Sequence, residues 1–430
     1  MIISGAMIAT MKGLVRADIE VSESGIISRV GTGFSGGRAS KSRLGPDFVD
    51  ASGMVVFPGG IDPHVHLRDP QSPAKEDFFT GTSAALAGGY TTVFDMPNYS
   101  NPPTTTAKAY GQKKEIAGKK AVCNWRLHFG ATQDNHAEVA KAKPMSMKAY
   151  LGETDSPLTF ETLEGLLLHF EKFPTENPIC IHAEDLDAIR YFSKRFGKGA
   201  RYSASRPAVV AQAAAARVSI LASYFDRRIH LCHATTGEEI VQVKNNNRNS
   251  TVEATPHHMF LDSSFEERLG EFHHVKPPLR SKAEVAGLWQ NIHLVDCIGS
   301  DHAPHTADDK KNGASGYPQL DTTMPLMLWA LEKQLVEVDD IVRLCCEGPA
   351  KIFGVQGRGA IKEGYHADLA IYDLSKKWKV KNSDLFTKCG WSPYEGMELG
   401  PRPSKVFVNG SLAFDSGSVV AKPGSGIEAD

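Results

Sequence analysis

The sequence lacks any apolar run long enough to cross a membrane, and residues 1–13 lack the basic and apolar regions of a secretory signal. Its seven cysteines are an odd number without a CxxC pair, and most lie in apolar runs such as Pro178–Ile181. These absences argue against a transmembrane protein and against a small domain held together by disulfides. We therefore expect a cytoplasmic protein with reduced cysteines and no membrane partner.

An excess of positive charge is also missing. The 48 Lys and Arg residues are balanced by 50 Asp and Glu residues, and no basic stripe with interleaved aromatic residues occurs along the chain. We therefore expect no nucleic-acid partner. The 430 residues are 41% hydrophobic and 23% charged, which is typical of a globular protein with a large core.

Short β-like runs separated by Gly, Ser and Pro occupy both ends of the chain, where helical periodicity is scarce. These runs are Met1–Ile3, Ile26–Val30, Phe48–Val49, Ala367–Tyr372, Lys405–Val408 and Ser411–Phe414. Because unpaired strand edges need partners, we expect residues 1–53 and 355–430 to form one small β-sandwich domain built from both termini.

Between these ends, residues 54–354 alternate short apolar runs with longer helical stretches, which predicts an α/β fold with a parallel sheet. The apolar runs are Met54–Asp62, Thr91–Asp95, Trp125–Phe129, Ser146–Leu151, Ile179–His182, Ile229–His233, Thr251–Ala254 and Leu294–Gly299. Eight β/α units in a segment of this length predict a TIM (β/α)8 barrel. In such barrels the chemistry gathers at the C-terminal ends of the strands.

Metal-ligating residue types occur at those strand ends. His64 and His66 close the first run, and alternation along a strand directs both to one face. A lone His-x-His is as typical of a solvated strand end as of a ligand pair. However, His182, His233 and Asp301 occupy the ends of three further runs, which favours a metal site suited to zinc or another borderline ion.

Alternation within the sixth run separates two neighbouring histidines. Ile229, Leu231 and His233 share one face, and His230 and Cys232 share the other. We therefore expect His233 to be the ligand and His230 to be structural.

Lys148 lies inside the fourth run, between Met147 and Ala149. It is either a strand residue whose amine reaches water or a functional amine. Beside two divalent ions the ammonium form would be disfavoured, so the neutral amine could react with carbon dioxide to give an N-carboxylate. Together with Asp301 and a hydroxide, that anion would leave one net positive charge, which one anionic substrate would neutralise.

These residues lie in segments that resemble dihydroorotases of the amidohydrolase superfamily. The segments are DPHVHLRDP (62–70), DMPN (95–98), MKAYL (147–151), HAE (182–184), CH (232–233), TPHH (255–258), SDHAPH (300–305) and GYHADL (364–369). The resemblance covers nearly the whole chain. The stretch Met147–Ser156 looks most like the dihydroorotase domain of the animal multifunctional pyrimidine enzyme, a type with a carboxylated lysine.

The resemblance implies a site with two zinc ions. One ion would be held by His64, His66 and Asp301, and the other by His182 and His233. Carboxylated Lys148 and a hydroxide would bridge the ions, and Asp301 would also be the catalytic base and acid. The substrate's carboxylate would be bound by Arg68, Asn98 and His305.

The implied reaction is reversible hydrolysis of dihydroorotate to N-carbamoyl-L-aspartate, a step of pyrimidine biosynthesis. The alternatives are a related hydantoinase, dihydropyrimidinase or allantoinase, and a non-catalytic scaffold that has lost its ligands. Arg68 discriminates among the enzymes, because a neutral ring offers no carboxylate to a guanidinium. All six ligand positions are filled, which argues against the scaffold.

Three segments depart from the resemblance or leave alternatives open. Lys276 stands where many dihydroorotases have Asn, and Gln319-Leu320-Asp321 replaces the usual Gly-Leu-Glu, so no substrate contact is assigned to either segment. The loop Ala307–Leu320 is either a lid or a plain surface loop. For partners we expect a homodimer and an association with aspartate carbamoyltransferase.

Overall fold

The computed structural model describes residues 1–34, 48–99, 102–153, 158–196 and 202–430. The end of the stretch Met147–Ser156 lies outside the described residues. No helix within these ranges is long and apolar enough to cross a membrane. All seven cysteines are free, and Cys389 alone among them is not buried.

The strands are β1 (Ile2–Thr10), β2 (Gly13–Val21), β3 (Ile27–Gly31), β4 (Phe48–Asp50), β5 (Val55–Pro58), β6 (Gly60–Val65), β7 (Tyr90–Asp95), β8 (Asn124–Leu127), β9 (Phe129–Gly130), β10 (Met147–Tyr150), β11 (Ile179–His182), β12 (Ile229–Ala234), β13 (Thr251–Ala254), β14 (Cys297–Ile298), β15 (Leu369–Tyr372), β16 (Trp378–Lys379), β17 (Glu398–Leu399), β18 (Lys405–Val408), β19 (Ser411–Asp415) and β20 (Ser418–Val419).

The α-helices are α1 (Phe78–Gly88), α2 (Ala107–Lys120), α3 (His136–Ala142), α4 (Glu164–Lys172), α5 (Leu186–Phe196), α6 (Tyr202–Ser205), α7 (Ala208–Tyr224), α8 (Gly237–Asn246), α9 (Pro256–Phe260), α10 (Phe265–Leu269), α11 (Lys282–Gln290), α12 (Ala307–Lys311), α13 (Thr323–Glu332), α14 (Val338–Val342) and α15 (Gly348–Phe353). A π-helical turn, Arg343–Glu347, joins the last two.

Both ends of the chain build one nine-stranded sheet, in the order β20-β19-β18-β15-β5-β1-β2-β3 with β4 paired to β1. The C-terminal strand β15 lies antiparallel to β5, with Leu369 opposite Pro58. Apolar side chains from both ends, such as Ile3, Ile19 and Leu369, share one buried cluster. The two termini therefore form one β domain, as predicted.

The barrel strands run parallel in two hydrogen-bonded groups, β6-β7-β8 and β9-β10-β11-β12-β13-β14. A parallel bridge between Val65 and His302 joins the first strand to the segment that follows the last strand. Eight strand positions result, because β8 and β9 together form the third. The predicted TIM barrel with an added β domain is confirmed.

One strand boundary differs from the prediction. The run Met54–Asp62, predicted as a single barrel strand, is divided between the β domain and the barrel at Gly59. A Cβ at Gly59 would lie 2.2 Å from Thr91 Oγ1, so only glycine allows this close approach. The β domain therefore extends beyond residue 53 to Pro58.

Local sequence signals fix the ends of the helices around the barrel. Helix α1 begins at a capping box in which the Asp77 side chain accepts from the backbone N–H of Thr80. It ends at Gly89, whose φ of 88° is left-handed. Helix α11 begins at a second capping box, between Ser281 and Glu284. These caps fix where the helices that connect successive barrel strands begin or end.

Alternation sorts the side chains of the middle strands. Ile179 and Ile181 of β11 pack with the main core, whereas Cys180 lies in a separate cluster with Ile61 and Phe94 of other barrel strands. The cluster that contains Cys180 lies in the barrel interior. His182 follows Cys180 on this inner face and reaches the C-terminal mouth of the barrel.

Candidate metal centre and active site

A cavity at the C-terminal mouth of the barrel brings the predicted site residues together. It is lined by residues at the C-terminal ends of the barrel strands and in the loops after them. The lining residues are His64, His66, Arg68, Asn98, Lys148, Tyr150, His182, His233, Val275, Lys276, Asp301, Ala303, Ser315 and Gly316. All six predicted metal ligands belong to this set, and so do two of the three predicted substrate-binding residues.

His64, His66 and Asp301 form a tight cluster, which we call the first ligand group. Asp301 Oδ1 lies 3.3 Å from His64 Nε2 and 3.1 Å from His66 Nε2. All three residues are buried, and their ligand atoms lie within 4.8 Å of one another. Two imidazoles and a carboxylate in this arrangement are the donor set of a borderline divalent ion.

The outer nitrogens of both histidines are held by oxygen atoms. His64 Nδ1 donates to Glu253 Oε1 at 2.7 Å, and His66 Nδ1 donates to Asn98 Oδ1 at 2.9 Å. These bonds direct each Nε2 at Asp301, which is how metal-binding histidines are commonly oriented. The residues present therefore fit a metal ion.

His182 and His233 form the second ligand group. His182 Nδ1 lies 3.0 Å from His233 Nε2, so the two nitrogens converge on one point. His182 Nε2 lies 3.0 Å from Glu184 Oε2, which also accepts from Arg206 Nη1 at 2.6 Å. Glu184 thus fixes the ring of His182 from behind.

Lys148 is fully buried, and its Nζ lies 2.9 Å from Cys232 Sγ. Burial disfavours the ammonium form of Lys148, but the contact with Cys232 favours it more, so the pKa of Lys148 is raised. The carboxylation hypothesis therefore depends on the positive charge of bound metal ions, which would oppose the ammonium.

Charge governs the protonation of the first ligand group. Burial lowers the pKa of His66 to about 3, so its ring is neutral. Burial also disfavours a charged His64, but Glu253 and Asp301 outweigh that cost and raise its pKa to about 10. The pKa of Asp301 is low, because His64 and His66 outweigh the effect of burial.

His233 reaches the cavity by a route that alternation did not predict. Leu231 packs in the outer core and Cys232 points into the barrel, so strict alternation would turn His233 outward. Instead the pairing register shifts between Leu231 and Ala234, and His233 has a left-handed φ of 40°. His233 therefore lines the cavity, but the strand periodicity is not what directs its side chain.

Two further site residues have left-handed backbones: Arg68 with φ of 62° and Asp301 with φ of 48°. This conformation is uncommon outside glycine, and strained residues of this kind concentrate at functional sites. Together with His233, they place three strained residues around one cavity.

Arg68 and Asn98 line the cavity, and His305 lies against Arg68. Arg68 Nε donates to Pro304 O at 3.0 Å, and its Nη2 lies 3.1 Å from His305 Nε2. Burial and the nearby cations Arg68 and Lys75 depress the pKa of His305, so the ring is neutral. A buried guanidinium is thereby held beside the ligand groups, in a fixed orientation.

Three buried residues that support the site were not predicted: Glu253, Glu184 and Cys232. Glu253 carries the most contacts, because its Oε1 also accepts from the backbone N–H of His233 at 2.9 Å. With His64 and Cys232 it forms another group whose donor atoms lie within 4.8 Å of one another. The sequence signal that could have identified Glu253 is the presence of a glutamate inside the apolar run Thr251–Ala254.

The histidine expected to be structural lies below the cavity. His230 Nδ1 lies 2.8 Å from Thr251 Oγ1, and its ring packs against Phe353 in the barrel interior. Its Nε2 lies 3.5 Å from Glu253 Oε2. His230 is therefore in contact with Glu253, which in turn holds His64.

The loop that follows His305 is tied down in the structure. Lys310 is buried and donates to the carbonyls of His274, Ala314 and Gly316 at 2.7–3.0 Å. Ser315 and Gly316 line the cavity, so the loop forms part of its wall. Whether it opens as a lid stays a prediction.

The two segments that depart from the dihydroorotase resemblance, Lys276 and Gln319-Leu320-Asp321, lie in different parts of the structure. Lys276 lines the cavity beside Val275. Gln319 lies behind the cavity, where it donates to Ser300 O at 2.5 Å and accepts from Tyr394 at 2.6 Å. Asp321 accepts from the backbone of Phe386 at 2.8 Å. Gln319 and Asp321 thus brace the mouth loops against the C-terminal segment.

Comparison with known proteins identifies one matching family and several sequence relatives. The model of the amidohydrolase family matches residues 55–413. The dihydroorotase of Archaeoglobus fulgidus is 34% identical over 413 residues, which cover 94% of each chain. The multifunctional protein CAD of Squalus acanthias is 34% identical over 389 residues, which are 88% of this chain but span only 16% of that protein's length.

Among solved structures, the L-hydantoinase (dihydropyrimidinase) from Arthrobacter aurescens superposes with a TM-score of 0.93 at 27% identity, covering 100% of this chain and 99% of that one. A D-hydantoinase from Thermus sp. gives a TM-score of 0.88 at 24% identity, covering 99% and 98%. The two sequence relatives are thus named a dihydroorotase and a multifunctional protein, whereas the two structural neighbours are named hydantoinases.

Proposed function

We propose that this chain, which belongs to the amidohydrolase family, is a dihydroorotase that reversibly hydrolyses dihydroorotate to N-carbamoyl-L-aspartate. The observation that carries the proposal is the buried guanidinium of Arg68 at the rim of the cavity that holds both ligand groups. A cation held there favours a substrate with a carboxylate next to the bond that reacts. Relatives named dihydroorotase at 31–34% identity support the same conclusion.

Arg68, Asn98 and His305 would bind that carboxylate. The guanidinium supplies charge and a planar set of donors, and its bonds to Pro304 and His305 keep it in place. Because His305 is neutral, it adds a hydrogen-bonding group without another charge. This arrangement orients the ring so that its amide faces the ligand groups.

We infer that the first and second ligand groups would each hold a zinc ion, and that N-carboxylated Lys148 would supply a further anionic ligand. The donors fit, since imidazoles and carboxylates suit zinc and their outer atoms are already held by Glu253, Asn98 and Glu184. When bound, such ions polarise the amide carbonyl and lower the pKa of water to about 7. The metal requirement is expected of the family, and zinc with a carboxylated lysine is our proposal.

Asp301 would move the proton. Its pKa is low, so the carboxylate is ionised at neutral pH and can accept a proton from the attacking water. It would then donate that proton to the departing ring nitrogen as the amide opens. In ring closure the same carboxylate would act in the reverse order.

A hydantoinase or dihydropyrimidinase is the second candidate, favoured by the close superposition on the Arthrobacter aurescens enzyme. It would use the same ligand groups on a ring without a carboxylate. The two candidates therefore differ in the role of Arg68, which would bind the carboxylate of dihydroorotate but would have no anionic partner in a neutral ring. Comparing anionic with neutral substrates distinguishes the two candidates.

The test is a substrate panel for the metal-loaded protein, containing dihydroorotate, dihydrouracil, hydantoin and allantoin, with ring closure of carbamoyl-aspartate measured alongside. Preference for dihydroorotate, with about two metal ions per chain, supports the proposal. Preference for a neutral ring would overturn the substrate and the role of Arg68. Turnover of none of the panel by a fully loaded protein would also count against it.

The cellular location and the partner proteins of the enzyme stay predictions. We propose a cytoplasmic location, consistent with seven free cysteines, and an association with aspartate carbamoyltransferase. Co-sedimentation of the two purified proteins would test the association.

A further inference from the structure

A second cavity lies on the outer flank of the barrel, between helices α3 and α4, and we call it the flank cavity. Its volume is about 380 Å³, and its walls include residues of the segments before β10 and β11, such as Pro144 and Asn177. These segments lie at the N-terminal end of the barrel, so the flank cavity is remote from the mouth that holds the ligand groups. A cavity of this size can hold a small organic molecule.

The inner wall of the flank cavity is largely apolar and aromatic. Val139 and Phe173 are buried there. The rings of His136 and His169 stack with their centroids 4.4 Å apart and their planes at 13°. Burial and the charge of Lys172 lower the pKa of His136, and burial lowers the pKa of His169 to about 4. Both rings are therefore neutral at pH 7 and offer aromatic surface rather than charge.

One polar atom of this wall lacks a partner. His136 Nε2 is buried and makes no hydrogen bond with any of the described residues. His169 Nε2, in contrast, donates to Thr132 O at 2.8 Å. A neutral imidazole can carry its proton on either nitrogen, so His136 Nε2 can donate to an acceptor. A buried polar atom of this kind costs free energy, which an oxygen atom of a ligand would recover.

The solvent-facing edge of the flank cavity is positively charged. Lys143 and Lys172 are exposed residues of its lining, and neither forms an ion pair with a described residue. Among the described residues, no Asp or Glu lines the cavity. An anionic ligand would therefore meet two ammonium groups and no opposing carboxylate.

A third cation lies behind the wall. Arg227 is fully buried, and its guanidinium lies 5.3 Å from the centre of the Phe173 ring. It donates to the carbonyls of Phe173, Pro174 and Asn177, which all line the flank cavity. Burial lowers the pKa of Arg227 to about 10, and Glu176 opposes that shift without forming an ion pair. The guanidinium thus stays charged at neutral pH and adds positive potential to the cavity.

We propose that the flank cavity binds a small organic carboxylate, whose apolar body packs against Val139 and Phe173 and whose carboxylate lies beside Lys172 and His136 Nε2. The apolar walls disfavour a bare inorganic anion, which would lose water without enough partners. The three cations disfavour a neutral or cationic ligand. The site is separate from the proposed active site, and the proposal does not depend on the substrate.

Isothermal titration calorimetry on the full, metal-loaded chain tests the proposal. The ligands are two carboxylates, naphthoate and decanoate, and the neutral analogue naphthalenemethanol. We expect saturable binding of a carboxylate at one site per chain, roughly tenfold tighter than that of the neutral analogue. The tighter of the two carboxylates shows whether the natural ligand has an aromatic or an aliphatic body.

Two variants locate the binding. Ala140 is an exposed residue of the cavity lining, so Ala140→Trp should fill the space without disturbing the core and should abolish binding. Lys172→Glu should weaken binding of the carboxylate roughly tenfold, because it reverses one charge at the edge. Lys119→Glu is the matched control, since Lys119 is also an exposed lysine in the last turn of a helix but lies outside the lining.

Circular dichroism checks that each variant is folded. Binding that is lost in Ala140→Trp, weakened in Lys172→Glu and kept in Lys119→Glu supports the site. Binding of neither carboxylate, equal binding of the neutral analogue, or an equal loss in Lys119→Glu would overturn the proposal. Binding that both cavity variants leave unchanged would also overturn it, because the carboxylate would then lie elsewhere, such as beside Arg68.

Discussion

Replacing Arg68 by Gln should separate the two candidate functions. The change removes a buried cation from the rim of the cavity while keeping a shorter, neutral polar side chain. If the substrate carries a carboxylate, its binding should weaken. If the substrate is a neutral ring, no charged partner is lost.

The magnitude follows from the burial of Arg68, which is 1% exposed. A hydrogen bond to a charged group contributes about 1.5–3 kcal/mol, and little water competes at this position. Loss of about 2–3 kcal/mol corresponds to a rise in KM for dihydroorotate of roughly 30- to 150-fold. Arg68→Lys keeps the charge but not the planar fork of donors, so its KM for dihydroorotate should lie between those of the wild type and of Arg68→Gln.

The assay follows ring opening and closure under steady-state conditions, with metal content and thermal unfolding measured on the same samples. Those measurements matter because Arg68 also bonds Pro304 and His305, so part of any loss could be structural. An unchanged KM for dihydroorotate in a folded, metal-loaded variant would remove Arg68 from substrate binding and refute the reasoning.

Three further predictions address the metal centre and the pH dependence of stability. Lys148→Ala should lose metal and most activity, with partial recovery by short-chain carboxylic acids; normal metal content and turnover would contradict N-carboxylation. Glu253→Gln should weaken metal affinity about 10- to 100-fold, because Glu253 orients His64, and competition with a chelator measures this. Burial raises the pKa of Asp321 from 3.8 to about 6, so its contribution to stability is greatest below 3.8 and is lost as pH rises through 6. Asp321→Asn should therefore gain roughly 1–1.5 kcal/mol relative to wild type between about pH 5 and pH 8; parallel stability curves from chemical denaturation would exclude this contribution.

Periodicity and strand ends account for what could be predicted of the site. At β10 and β11 alternation is regular, so Lys148 and His182 point inward as the sequence indicates. Because parallel strands share one C-terminal edge, residues distant in sequence could be assigned to one cavity. Arg68, Asn98 and His305 were accessible only through the resemblance to dihydroorotases, because two of them lie in loops without a period.

The residues that were missed act through contacts between distant segments. Glu253 is an isolated glutamate in sequence, and its bond to His64 joins positions 189 residues apart. Gly59 lies where an apolar run passes from the β domain to the barrel, and the side chain of Thr91 lies against it. Neither contact leaves a periodic signal in the chain.

The sequence by itself determined the barrel, the β domain from both ends and the set of metal-ligating residue types, because burial and alternation act locally along each strand. The tertiary structure alone decided how His233 turns into the mouth, which oxygens hold each imidazole, and which residues enclose the flank cavity. These features depend on a backbone irregularity, on long-range hydrogen bonds and on the packing of neighbouring helices. None of them repeats along the chain, so only the folded arrangement specifies them.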